Sequence, residues 1–223
     1  MSLILSIETT TTNCSVSLSN EGETLVLMED NNKNYSHAEM LHVFIDKIIK
    51  KADIKRSDLD AIAVSKGPGS YTGLRIGVSA AKGLCYALDK PLISISTLNA
   101  LAHQVKTDEG VIIPMLDARR LEVYSAIFDH HYNSLRGIEA QILDQNAFES
   151  YLEKNLVYFI GNGVEKTKTL INHSNAIFVE NKLPSAREMD KLAFEKYKKN
   201  DIEDVAYFEP FYLKDFIALK AKS

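Results

Sequence analysis

What the chain lacks narrows it first. No stretch of its 223 residues approaches the roughly 20 consecutive apolar residues of a membrane-spanning helix. Leu3-Ile4-Leu5 is too short for the apolar core of a targeting peptide and soon meets Glu8, so a cytoplasmic location without membrane contact is expected. Cysteine is scarce. Cys14 and Cys85 lie far apart in apolar contexts, which suits reduced core residues rather than a disulfide. Positive charge is not in excess, because 26 Lys and Arg against 30 Asp and Glu leave a net charge of −4. That excludes a protein that grips nucleic acid by its own field. The basic runs Lys47 to Lys51 and Lys196 to Lys199 read as wet helix faces.

Metal and nucleophile motifs are missing too. No HExxH, HxxxH or cysteine pair occurs. His37 and His42 are five apart, which puts them on different helix faces, and His130-His131 are strand-end neighbours expected to point opposite ways. No Gly-x-Ser-x-Gly elbow is present. Neither a metal site nor a catalytic residue is expected.

What is present is patterned as a soluble α/β protein, 45% hydrophobic and 25% charged. Leu3 to Ile7 is apolar, and Glu8 to Thr12 is a polar turn. Cys14, Val16 and Leu18 alternate with Ser15, Ser17 and Ser19, the period of a half-buried strand. Asn20-Glu21-Gly22 turns the chain into a third strand, Thr24 to Glu29. Short turns between three strands require an antiparallel meander. A helix follows from Ser36 to Ala52, with Ser36 and Glu39 as a capping box and Met40, Val43 and Phe44 lying off its core stripe. Then come a strand to Ser65, a glycine turn, a helix Thr72 to Leu88, the strand Pro91 to Ile95 and a short helix from Thr97.

The second half repeats the order without repeating the sequence. Strands are predicted at 111–116, 121–128, 135–143, 156–160 and 176–179, and helices at 145–152, 164–171 and 185–199. A duplicated three-stranded meander followed by alternating α and β is the signature of paired RNase H-like domains, as in actin-like ATPases and sugar kinases. The predicted fold is therefore α/β, two RNase H-like (actin-like, ASKHA) domains in tandem, the second smaller and degenerate. The expected division is 1–107 and 108–223, with 208–223 packing back on the first domain.

The stretch Lys66-Gly-Pro-Gly-Ser-Tyr-Thr-Gly-Leu-Arg-Ile-Gly77 is the most unusual in the chain. A strand, a glycine turn and a helix N-terminus together favour an anion, so Gly67 and Gly69 are candidate nucleotide contacts. No Lys-Ser or Lys-Thr follows, so the run is not a Walker A loop. Thr9 and Thr10 are candidate phosphate donors, with a self-satisfied threonine turn as the alternative. Arg119 and Arg120, at a predicted hairpin tip, either clamp an anion or are simply solvated. Gly161 and Gly163 open the equivalent turn of the second half. Along the helix, Leu74, Val78, Ala81, Cys85 and Leu88 form the stripe that a sheet would bury. Gly73, Gly77, Ala80, Leu84 and Ala87 form a smooth second stripe that invites another helix.

With Ile7-Glu-Thr-Thr10, Tyr35-Ser-His-Ala-Glu39, Asp58 to Val64, Lys66 to Gly77, Asp117-Ala-Arg-Arg120 and Pro210-Phe-Tyr-Leu-Lys214 in order, the chain resembles the TsaB (YeaZ) family. The resemblance implies a role in forming N6-threonylcarbamoyladenosine beside the anticodon of tRNAs that read codons beginning with A. It implies a non-catalytic scaffold that pairs with its paralogue TsaD, the metal-bearing transferase, and recruits the small ATPase TsaE. Its Glu8 replaces the Asp expected at that turn. The family pairing is a helix-bundle contact through the first two helices, so Met40, Val43, Phe44, Gly73, Gly77 and Ala80 are expected to line it. On this reading Gly77→Leu breaks the pair and spares the fold. Alone, the same patch would make a homodimer. No nucleotide is expected to bind the isolated chain strongly, with ATP or ADP entering at the interface of the complex, and tRNA binding only through the complex. The alternative function is an active actin-fold ATPase or small-molecule kinase.

Overall fold

The computed structural model describes residues 2–31 and 37–214. The capping box predicted at Ser36 and the segment beyond Lys214 lie outside the described residues. Among the described residues, ten strands form two five-stranded sheets. In the first, β1 (Leu3–Glu8), β2 (Cys14–Asn20) and β3 (Glu23–Asp30) are the antiparallel meander, and β4 (Ala61–Gly67) and β5 (Leu92–Ser96) add in parallel. The second sheet repeats this with β6 (Val111–Asp117), β7 (Glu122–Asp129), β8 (Ser134–Ile142), β9 (Val157–Ile160) and β10 (Ala176–Val179). Both sheets run third, second, first, fourth, fifth. The predicted repeat of the meander is thus present in the strand order.

Helices α1 (His37–Lys51) and α2 (Tyr71–Leu88) cover one face of the first sheet. Leu3, Leu5 and Ile7 of β1 meet Leu41, Ile45 and Ile48 of α1 and Val78, Ala81 and Cys85 of α2. The stripe predicted from Leu74 is the buried one, and both cysteines are buried and free. Burial lifts the Cys14 thiol to about 11 and the Cys85 thiol to about 12, so neither is a nucleophile near neutrality.

The opposite face is covered from far along the chain. Helix α6 (Arg187–Lys198), read from sequence with the second half, packs on the first sheet through Ala186, Met189 and Ala193. Its arrival changes β2. Ser15, Ser17 and Ser19, predicted on a solvated face, are buried. Ser17 Oγ donates to Ala186 O at 3.1 Å, and Ala186 N donates to Ser15 Oγ at 3.0 Å. The hydroxyls satisfy a helix start that would otherwise bury unpaired groups. Asp190 points into the same serines and accepts from Ser6, Ser17 and Thr24 at 2.9, 2.6 and 2.6 Å.

The short helix α3 (Thr97–Ala102) joins the two units. Ala100 packs with the first sheet and α6, while Leu98, Leu101 and Ala102 pack on the second sheet against Ile112, Leu116, Ala126 and Ile160. Helices α4 (Glu149–Leu152) and α5 (Val164–Leu170) cover the outer face of the second sheet. No helix among the described residues is long and apolar enough to cross a membrane.

Candidate functional site

Between the C-terminal ends of the central strands of the two sheets lies a cleft of about 560 Å³. The first unit contributes Thr10, Thr11, Gly69, Ser70, Tyr71 and Thr72. The second contributes Leu116, Asp117, Ala118, Arg119, Tyr124 and Asn162, and Phe211 to Lys214 close one side. Topology explains the meeting. In each unit the first hairpin and the turn after the fourth strand end side by side, and the units face each other across α3.

The first unit's turn is built by close backbone approach. A Cβ on Gly69 would sit 2.5 Å from Thr10 Cβ, and Ser70 N donates to Thr10 O at 2.7 Å. A Cβ on Gly73 would sit 2.0 Å from Thr9 O, and one on Gly77 2.3 Å from Thr9 Oγ1. Thr9 Oγ1 in turn donates to Gly73 O at 2.7 Å. The β1–β2 turn therefore lies on the N-terminal half of α2, and only glycine leaves room for it. Gly67, at φ +112°, meets a different neighbour, since its Cβ would fall 2.6 Å from Phe211 O. Ser70 caps α2 by accepting from Gly73 N at 3.3 Å.

Glu8 braces this turn from behind. It is fully buried. Its Oε1 accepts from Thr10 N at 2.6 Å and Thr10 Oγ1 at 2.5 Å, and its Oε2 accepts from Ser65 Oγ at 2.5 Å. Desolvation raises its pKa despite these donors. Both oxygens are engaged inside the protein, so the acid is not available to hold a cation in the cleft. Among the described residues no group of three His, Cys, Asp or Glu side chains is placed to hold a metal ion. The equivalent acid of the second unit, Asp117 at the end of β6, is exposed. Its Oδ1 accepts from Lys166 Nζ at 2.7 Å and from Arg119 N at 2.6 Å.

The sequence-predicted contacts divide accordingly. Thr10, Gly69 and Arg119 reach the cleft. Thr9 is buried behind the turn against α2, and Gly67 is buried beneath Phe211. Arg120 is exposed but does not line the cleft, and its carbonyl accepts from Lys166. Thr10 Oγ1 donates to Glu8, which is the self-satisfied turn rather than an open phosphate donor. The cleft's cations are Arg119 and Lys214, and its aromatic walls are Tyr71, Tyr124, Phe211 and Tyr212. These suit a phosphate-bearing ligand better than a bound metal.

The residues assigned to a partner contact also divide. Gly73 and Gly77 are buried against this chain's own Thr9, and Phe44 is a core residue. They are corrected from surface to interior, because the turn they accommodate is internal. Met40 and Ala80 are half-buried at the rim of the core, and Val43 is 42% exposed. The outward glycine of α2 is Gly83, whose Cβ would meet nothing within 4 Å. Tyr86, 88% exposed, and exposed Ala87 lie beside it. Sequence spacing carried the signal, since Ala80, Gly83 and Ala87 share a helical face, but nothing in it distinguishes inward from outward glycines. His130 and His131 sit in the turn after β7 with ring centroids 3.9 Å apart, not on opposite faces.

A family model described as TsaD: tRNA N6-adenosine threonylcarbamoyltransferase matches residues 32–222. The tRNA threonylcarbamoyladenosine biosynthesis protein TsaB of Bacillus subtilis is 31% identical over 95% of this chain and 93% of its own length. Its Escherichia coli K12 namesake is 28% identical over 97% and 96%. The structure superposes with TM-score 0.84 on a Pseudomonas aeruginosa crystal structure described as an uncharacterized protein with similarity to peptidase YEAZ. That chain is 25% identical, with 96% of this chain and 100% of the other covered. The chain belongs to the TsaB (YeaZ) family.

Proposed function

We propose that this TsaB-family chain takes part in making N6-threonylcarbamoyladenosine in tRNA, as the non-catalytic partner of a TsaD-type transferase in the cytoplasm. The observation that carries the non-catalytic part is Glu8. The acid at the head of the cleft is enclosed by Thr10 and Ser65, which leaves the turn without a free carboxylate for metal-assisted phosphate chemistry. On this reading the first unit is a docking module and the second a smaller, degenerate copy. The docking surface is the outer side of α1 and α2, where Val43, Gly83 and Tyr86 are open and Met40 and Ala80 form the rim. A smooth helix face with a glycine lets a second helix approach closely. In the transferase's absence two copies of this chain pair through the same patch. A TsaE-type ATPase joins the complex. ATP or ADP enters at the shared cleft by Thr10, Gly69 and Arg119, and tRNA binds only to the assembly, consistent with the net charge of −4.

Reconstitution tests the reading. Transferase, TsaE-type ATPase, the adenylate-forming enzyme and tRNA should yield modified tRNA with this chain and little without it. The purified chain alone should not turn over ATP with magnesium. Appreciable turnover by the isolated chain would establish the ATPase or kinase alternative instead.

A further inference from the structure

The chain's last described segment is held in two unequal ways. Residues 203–208 are anchored. Glu203 pairs with Leu92 at the edge of β5 and accepts from Ser94 Oγ at 2.5 Å. Val205 and Phe208 pack on the core beneath α2. Lys82 Nζ donates to Ala206 O and Phe208 O at 3.1 and 2.9 Å. After Glu209-Pro210 the hold is lighter. Phe211 N donates to Lys66 O at 2.7 Å, the Tyr212 ring lies 5.1 Å from Tyr71, and Lys214 pairs with Glu122 at 2.5 Å. Arg75 sits over the Tyr71 ring at 4.2 Å. Phe211 and Tyr212 remain 39% and 37% exposed.

These light contacts run from the first unit to the second across the side of the cleft, and Phe211 to Lys214 form part of its lining. The fit is also made from the other side. Gly67 has φ +112° and no Cβ, and a Cβ there would fall 2.6 Å from Phe211 O. Gly67 thus makes room for the segment's backbone, which is why it is not itself a ligand contact.

We propose that residues 211–214 are a latch, hinged at Glu209-Pro210, which closes the cleft between the two units and swings off Tyr71 and Glu122 to admit a phosphate-bearing ligand. The inference rests on the proposed reading of the cleft as a phosphate site and adds its control. The chain closes that site itself: a ligand must displace the Tyr212 ring and take Lys214 from Glu122, which frees the ammonium to pair with the phosphate. An ion pair between side chains 48% and 20% exposed weakens with salt, so the latch opens more readily at high ionic strength.

The test uses the full chain and the double variant Glu122→Gln/Tyr212→Ala, which keeps both cleft cations. Hydrogen exchange should show the Phe211 amide exchanging at least tenfold faster in the variant, with β1 amides unchanged. Calorimetry with inorganic pyrophosphate should show at least tenfold tighter binding by the variant. Unchanged exchange at Phe211 would overturn the latch, whatever the binding. Faster exchange with equal pyrophosphate affinity in both proteins would overturn the gating and leave the phosphate site standing. Faster exchange with no pyrophosphate binding by either would keep the latch and sink the phosphate reading.

Discussion

The two hairpins that face each other across the cleft occupy equivalent places and have been built differently. Each ends its unit's first strand in an acid, Glu8 or Asp117, and each rests against a turn opened by a glycine of nearly identical backbone, Gly67 at φ +112° or Gly161 at φ +114°. In the first unit the acid is buried and bonded to hydroxyls and a backbone N–H, and the turn is fused to an 18-residue helix through Gly69, Gly73 and Gly77. In the second the acid is exposed beside Lys166, and the following helix has 7 residues. Identical topology does not preserve identical chemistry. One turn is locked by backbone contact onto the N-terminal half of α2, and the other leaves an exposed acid and Arg119 at the cleft.

The two turns differ most at their glycines. Alanine is favoured over glycine inside a helix by about 1 kcal/mol, yet Gly73→Ala places a carbon 2.0 Å from a backbone oxygen. We expect a net loss of about 3 kcal/mol or more, a fall in Tm on the order of 10 °C. In the second unit Gly163, at the start of α5, has φ −76°, and a Cβ there meets only side chains, Val123 Cγ1 at 2.8 Å and Met115 Cγ at 3.1 Å. Those can yield, so a loss of about 1 kcal/mol is expected for Gly163→Ala. Calorimetric scans of the pair decide it, and equal losses would contradict a backbone-locked first turn.

The acids differ by a smaller margin, readable against pH. Burial raises Glu8, and it raises Asp190 on the same sheet face from 3.8 to about 6. A raised pKa means that the folded state holds the proton more tightly than the unfolded chain does. The associated stability is full below about pH 4 and is lost as pH rises through about 6. Relative to Asp190→Asn, the natural chain should therefore gain up to about 3 kcal/mol on going from pH 7 to pH 4. A gap that is flat in pH, measured by denaturant unfolding, would contradict the buried-acid account. Asp117→Asn, which breaks a pair with side chains 49% and 17% exposed, should cost less than about 1 kcal/mol.

Much of this architecture is legible in the residues. The alternation of Cys14 to Ser19, the turns at Asn20-Glu21-Gly22 and Gly67-Pro68-Gly69, and the buried stripe from Leu74 predict elements that the structure places within a residue or two. Local chemistry sets such features. What escapes the sequence is set by distant parts of the chain. Nothing near Ser15 or Ser17 announces that a helix from residue 187 will cover them, and nothing near Gly73 says that Thr9 will fill its face. A glycine stripe reads the same whether its neighbour is a partner or the chain's own turn. In the site, Thr10, Gly69 and Arg119 line the cleft. Thr9, Gly67 and Arg120 do not, because tertiary packing turned the first two inward and directed the third away.

Helix α2 has an inward half fitted to Thr9, and its open outward half is the proposed docking surface. Gly83→Arg tests it most directly. Co-purification with the TsaD-type transferase should be lost while Tm stays within about 2 °C of the natural chain, the small change expected of an exposed substitution. A variant that still co-purifies at full yield would contradict the claim.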